Sequence, residues 1–119
     1  MTFLPIIAAM DILFKSKNLE RLCHDDTLAT RTFGRLGAQK LRARLDDLQA
    51  LVNLAQAPHL PGRFRAVDGH TDTFALNLHA GHQLVIQPAM LSRPKRTGDS
   101  LNLSAVTVIC VMRIDPGHV

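Results

Sequence analysis

Between residues 60 and 64 the hydrophobic period of this chain changes, and that change limits the folds open to it. Upstream, Leu41, Leu45, Leu48, Val52 and Ala55 recur at i, i+4, i+7, i+11 and i+14, the stripe of an amphipathic helix. Pro58 and the Pro61-Gly62 pair are expected to end it. Downstream, Phe74, Leu76 and Leu78 alternate with Ala75 and Asn77, the period of a strand with one buried face. Leu84 and Ile86 alternate again after the turn dipeptide Ala80-Gly81, and Pro88 closes that strand. Helices followed by a run of neighbouring strands point to an α+β fold, with the helices on one face of a sheet.

The flanking segments complete the plan. Asp11–Phe14 reads as a short strand, and Ser16 can cap a short helix running to about Cys23, with Leu19 and Leu22 on one face. Asp25-Asp26-Thr27 is a polar break. Gly34 and Gly37 each weaken a helix by ~1 kcal/mol relative to alanine and leave the start of the long helix open. A start near Thr32 puts Arg35 and Arg42 on a flank of the apolar stripe, with Lys40 and Arg44 on a different side. Phe64 begins another strand. Residues 89–104, with Arg93, Pro94, Lys95, Arg96, Gly98 and Asp99, read as a polar loop. Ala105–Met112 is almost wholly apolar, as in a central strand buried on both faces. The expectation is one domain over residues 10–119. A short strand and two helices pack on a mostly antiparallel sheet of four or five strands, behind an extension at residues 1–9.

Composition narrows the class. A chain of 119 residues with 46% hydrophobic and 20% charged residues suits a single soluble domain. No apolar run approaches the ~20 residues that span a bilayer, and residues 1–9 carry no lysine or arginine of a secretory signal. Met10 is a second possible start. Cys23 and Cys110 sit in no metal or redox spacing, and Cys110 is expected to act as a small core hydrophobe. A cytoplasmic location follows as an expectation.

Charge is distributed unevenly. Of the net +4, residues 31–65 hold Arg31, Arg35, Lys40, Arg42, Arg44, Arg63 and Arg65 against only Asp46 and Asp47. The other two segments balance close to zero, so a polyanion such as nucleic acid is the partner this pattern favours.

Several stretches resemble a known family in the right order. D-I-L-F-K-S-K-N-L-E-R-L at 11–22, L-R-A-R-L-D-D-L-Q-A-L at 41–51, L-P-G-R-F at 60–64 and F-A-L-N-L at 74–78 are similar to HigB-type killer proteins of the RelE/ParE toxin superfamily. The alternating residues that end near His118 extend the likeness to about residues 10–118. The resemblance implies a RelE-like fold and the toxin half of a toxin–antitoxin pair, with a small helix-turn-helix antitoxin as partner. In the HigB and RelE branches the target is messenger RNA on the ribosome. In the ParE branch it is DNA gyrase.

Metal-free RNA cleavage needs a base for the ribose 2′-OH, cations at the phosphorus and an acid for the leaving 5′-oxygen. Carried over residue by residue, the resemblance makes His118 the general acid or base and Arg65 the phosphate cation, with Asp115 and His70 in support. Arg35, Arg42, Arg44, Arg63, Arg93, Lys95 and Arg96 are the RNA-binding candidates. The chain also departs from the family. Pro116 and Gly117 stand where aspartate and tyrosine are usual, Gln83 replaces a phosphate-binding arginine, and the sequence has no tyrosine. A binding module that has lost the nuclease site is therefore the alternative, with a ParE-like gyrase inhibitor third. No metal and no small-molecule cofactor are expected, because His70, His79, His82 and His118 match no metal-ligand spacing.

Overall fold

The computed structural model describes residues 10–69, 72–89, 96–97 and 100–116. The chain forms an α+β fold. Its first strand β1 (Asp11–Phe14) leads to α1 (Lys17–His24), α2 (Asp26–Gln49) and a 3-10 helix at Leu54–His59. Strands β2 (Arg65–Ala66), β3 (Phe74–Asn77), β4 (Gln83–Pro88), β5 (Arg96–Thr97), β6 (Ser100–Leu101) and β7 (Val108–Asp115) follow. Five of them make one sheet in the order β1-β7-β4-β3-β2, antiparallel except where β1 meets β7. β5 and β6 pair separately, inside the segment expected to be a loop.

Local chemistry sets the helix starts. Ser16 accepts from Leu19 N at 3.1 Å and Asp25 from Leu28 N at 3.1 Å, so each hydroxyl or carboxylate satisfies an otherwise orphaned amide. The polar break at 25–27 thus shrinks to one capping residue, and α2 begins at Asp26 rather than near Thr32. Gly34, at φ 79° and ψ 171°, interrupts α2 with a conformation that glycine adopts easily. Arg42 Nη2 lies 2.6 Å from Asp26 Oδ1. Sixteen residues of straight helix would separate those positions by about 24 Å. The ion pair is possible because the two arms of α2 fold back on each other at Gly34.

The helical stripe ends earlier than its period suggests. α2 stops at Gln49, and Val52 is 45% exposed. Asn53 accepts from Ala55 N at 3.0 Å and opens the 3-10 helix, which carries Pro58 inside it. Ala55 is exposed there. A new cap outcompetes continuation of the old helix, so Val52 and Ala55 leave the stripe while Leu41, Leu45 and Leu48 remain buried.

One core holds the layers together. Leu19, Leu22, Leu41, Leu45 and Leu48 of the helices pack with Leu76, Leu84, Ile86, Ile109, Val111 and Ile114 of the sheet. The hairpin between β3 and β4 turns through Ala80 (φ 56°) and Gly81 (φ 81°). Both are left-handed, as a two-residue hairpin turn requires. The strand expected at Ala105–Met112 lies at Val108–Asp115, with Val108, Cys110 and Met112 only half-buried. Full burial on both faces fails because helices cover one face only.

A bulge in β7 decides which residues reach the other face. β4 pairs Val85 with Arg113 but Ile86 with Val111, so Met112 is an extra residue without an opposite. Ile109 and Val111 face the core, and the bulge allows Ile114, rather than Arg113, to rejoin them.

Candidate functional site

The sheet face turned away from the core carries the polar residues. Cross-strand register aligns Arg65, Ala75, Val85 and Arg113 in one row across β2, β3, β4 and β7. Asn77, Gln83 and Asp115 form the adjacent row. Ala75 and Val85 are buried yet stand outside the main core, whereas every buried apolar residue of α1 and α2 belongs to it. Among the described residues, then, no helix lies over this face.

Three strand spacings separate the Cα atoms of Arg65 and Arg113, about 14 Å. Arg65 is half-buried, and its Nη1 donates to Arg63 O at 2.9 Å. Arg113 Nε lies 3.0 Å from Asp115 Oδ1 and 3.1 Å from Oδ2. Each guanidinium is held along its own strand rather than reaching toward the other. Gln87 Nε2 donates to Thr73 Oγ1 at 2.9 Å and fixes the polar margin of the same face.

Of the residues expected to carry chemistry, Arg65 and Asp115 are thus brought to one face. His70, Arg93, Lys95 and His118 lie outside the described residues, as do Gly117 and the side chain of Arg96. Arg63 is exposed with a left-handed backbone (φ 55°), just before β2.

The cations of α2 go elsewhere. Arg35 and Arg42 are exposed in the helix layer, where they line a groove of about 590 Å³ between the two arms of α2 with Asp26 and Asp46. Arg44 departs from the expectation of an outward RNA contact. It is only 6% exposed, pairs through Nη1 with Asp47 Oδ2 at 2.5 Å, and among the described residues its Nε has no partner. Position 44 falls three residues after Leu41 and four before Leu48, which places it on the buried stripe itself. It lies under the turn into β2, where a Cβ on Gly62 would come within 3.3 Å of Arg44 Cδ and 3.1 Å of Asn77 O. The basic segment is therefore divided between the helix layer, the interior and the sheet edge.

Burial disfavours the thiolate at both cysteines. Burial pushes the Cys23 thiol up to about 12, against a smaller opposing pull from Arg42. Burial also raises Cys110, which Lys15 partly offsets. His82 Nδ1 lies 3.0 Å from His79 O, and the His82 ring meets Phe33 edge-on with centroids 5.0 Å apart. Among the described residues no three histidine, cysteine, aspartate or glutamate side chains converge as a metal site. No described helix is long and apolar enough to cross a membrane.

Arg113 was not among the expected site residues. The signal was present, since Arg113 and Asp115 are two apart and so share a strand face, but the strand was expected to end at Met112. No family model, curated protein or solved structure matches the chain.

Proposed function

We propose that this chain is a HigB-like toxin that acts on ribosome-bound messenger RNA in the cytoplasm and is neutralised by a small helix-turn-helix antitoxin. One observation carries the reading. Arg65 and Asp115, chosen from sequence as phosphate cation and supporting group, share the sheet face that no described helix covers. In the proposed reaction Arg65 offsets charge at the phosphodiester while the ribose 2′-oxygen, losing its proton, bonds to phosphorus and the P–O5′ bond breaks, the 5′-oxygen leaving as the protonated hydroxyl. His118 serves as general acid or base with Asp115 and His70 in support, and no metal is required. Induced expression without antitoxin should arrest growth and yield cleaved transcripts, and Arg65→Ala should relieve both effects. Normal growth with intact transcripts would sink the proposal.

A second reading, an antitoxin-binding module that has lost the nuclease site, is favoured by a different observation. Gln83 stands directly opposite Asp115, and both Asp115 oxygens are already engaged by Arg113. That reading expects antitoxin binding with normal growth and intact transcripts, and toxicity of the unmodified chain would overturn it.

A further inference from the structure

Among the described residues β1 has a free edge. It pairs only with β7 and so ends the row of strands. Asp11 N donates to Thr107 O and Lys15 N to Val111 O, so alternation turns the amides of Ile12 and Phe14 away from β7. No described strand or loop bonds those two amides. An unpaired edge is a template for another chain unless charge, proline or a bulge blunts it.

β1 and the residue after it carry charges of both signs, and their order matters. Asp11, Leu13 and Lys15 are exposed, whereas Ile12 and Phe14 pack against the core, so the first three share the opposite face. Leu13 keeps 43% exposure. Neither Asp11 nor Lys15 forms an ion pair among the described residues. Along one face D-I-L-F-K therefore runs acid, apolar, base, an order that complements itself when reversed.

A second copy laid antiparallel to β1, with a two-fold axis at Leu13, satisfies all of these groups. Ile12 then faces Phe14 of the second copy, and both turn amide and carbonyl toward each other. The two-fold repeats that pair and gives about four backbone hydrogen bonds. Leu13 meets its own counterpart at the axis. Asp11 meets Lys15 on either side, in the non-hydrogen-bonded positions where side chains lie closest. A register shifted by one residue breaks the hydrogen-bond parity, and one shifted by two sets each charge against a leucine. On the core side, a crevice of about 190 Å³ lined by Ile12, Phe14, Cys23, His24 and Leu45 borders the same edge. The Phe14 ring arriving opposite Ile12 has space beside it there.

We propose that this chain self-associates through β1, a second copy pairing antiparallel at Ile12 and Phe14 with Leu13 on the two-fold axis and Asp11 against Lys15. Two five-stranded sheets then join into one. The contact is short, so the dimer is weak and concentration-dependent. It does not depend on RNA cleavage, and β2, which carries Arg65, lies at the opposite edge.

The test is sedimentation velocity of the full chain across a range of concentrations, with thermal melting of each variant alongside. The parent should pass from monomer to dimer as concentration rises. Asp11→Lys and Lys15→Asp each set like charges opposite one another on both sides of the axis. Each should weaken dimerisation roughly tenfold. An equimolar mixture of the two variants should regain most of the parent's dimer content, because every pair in the mixed dimer is again opposite in sign. The double variant, Asp11→Lys with Lys15→Asp, should do the same within one chain. Leu13→Glu should hold the chain monomeric without lowering its melting temperature at low concentration. A parent that stays monomeric at every concentration would overturn the proposal. So would a dimer left unchanged by both single variants, or a mixture no stronger than either variant alone.

Discussion

Replacing Leu84 with alanine is expected to cost about 2–5 kcal/mol of folding free energy, the range for emptying a fully buried leucine site. Leu84 is 0% exposed and stands between Leu76 and Ile114 in the cross-strand register, both also fully buried. Strand and helix side chains meet there in one core, so neighbouring backbone can collapse little into the space left. Melting temperature should fall by roughly 10–20 °C for a domain of this size. The adjacent Gln83→Ala, half-buried on the opposite face, should stay within about 0.5 kcal/mol of the parent. Chemical denaturation of the two variants decides the matter, because equal losses would mean that Leu84 and Gln83 do not face different environments on the two sides of the sheet.

The second large effect concerns a charge. Asp47→Ala should destabilise the chain by about 3 kcal/mol, since it leaves the Arg44 guanidinium buried without its carboxylate. Arg44 retains only 8% side-chain exposure, whereas Asp47 keeps 35%, so the penalty falls mainly on the arginine left behind. Substituting both partners, as Arg44→Met with Asp47→Leu, should recover most of the loss, because no buried charge then remains. A loss below roughly 0.5 kcal/mol in Asp47→Ala would show that water reaches Arg44 freely. The loosened region would be the Gly62–Arg65 turn, which packs on Arg44 and carries Arg65 to the sheet edge.

Local patterns and long-range geometry were unequally legible. The Leu41-Leu45-Leu48 stripe, the Ser16 cap and the Ala80-Gly81 hairpin depend on neighbours a few residues apart, and the sequence displays them directly. The fold-back at Gly34 depends on a contact between Asp26 and Arg42, and no local rule for glycine distinguishes it from a weak point in one helix. Arg44 was misjudged for another reason. Its charge argued for solvent while its spacing from Leu41 and Leu48 argued for the interior, and packing on the stripe prevailed. The candidate site was only half legible. Arg65 and Asp115 could be picked out from a family likeness, but Arg113 reaches them only through a register shift with β4. Such a shift is a property of two strands together, and V-M-R-I-D alone shows neither period cleanly.

Met112 also gives the chain a measure of slack. A residue removed from an inner strand ordinarily inverts everything beyond it, since side chains alternate. Here the count is already one too many. Excising Met112 would leave Ile109, Val111 and Ile114 in unbroken alternation, with Arg113 and Asp115 still outward. The shortened chain is expected to fold cooperatively, with a melting temperature within about 5 °C of the parent, a shift of roughly 1 kcal/mol. Removal of Cys110 or Val111 restores the same count with Met112 inward in place of Val111, so tolerance to the loss of one residue is expected across 110–112, whereas loss of Ile114 has no such reserve to draw on.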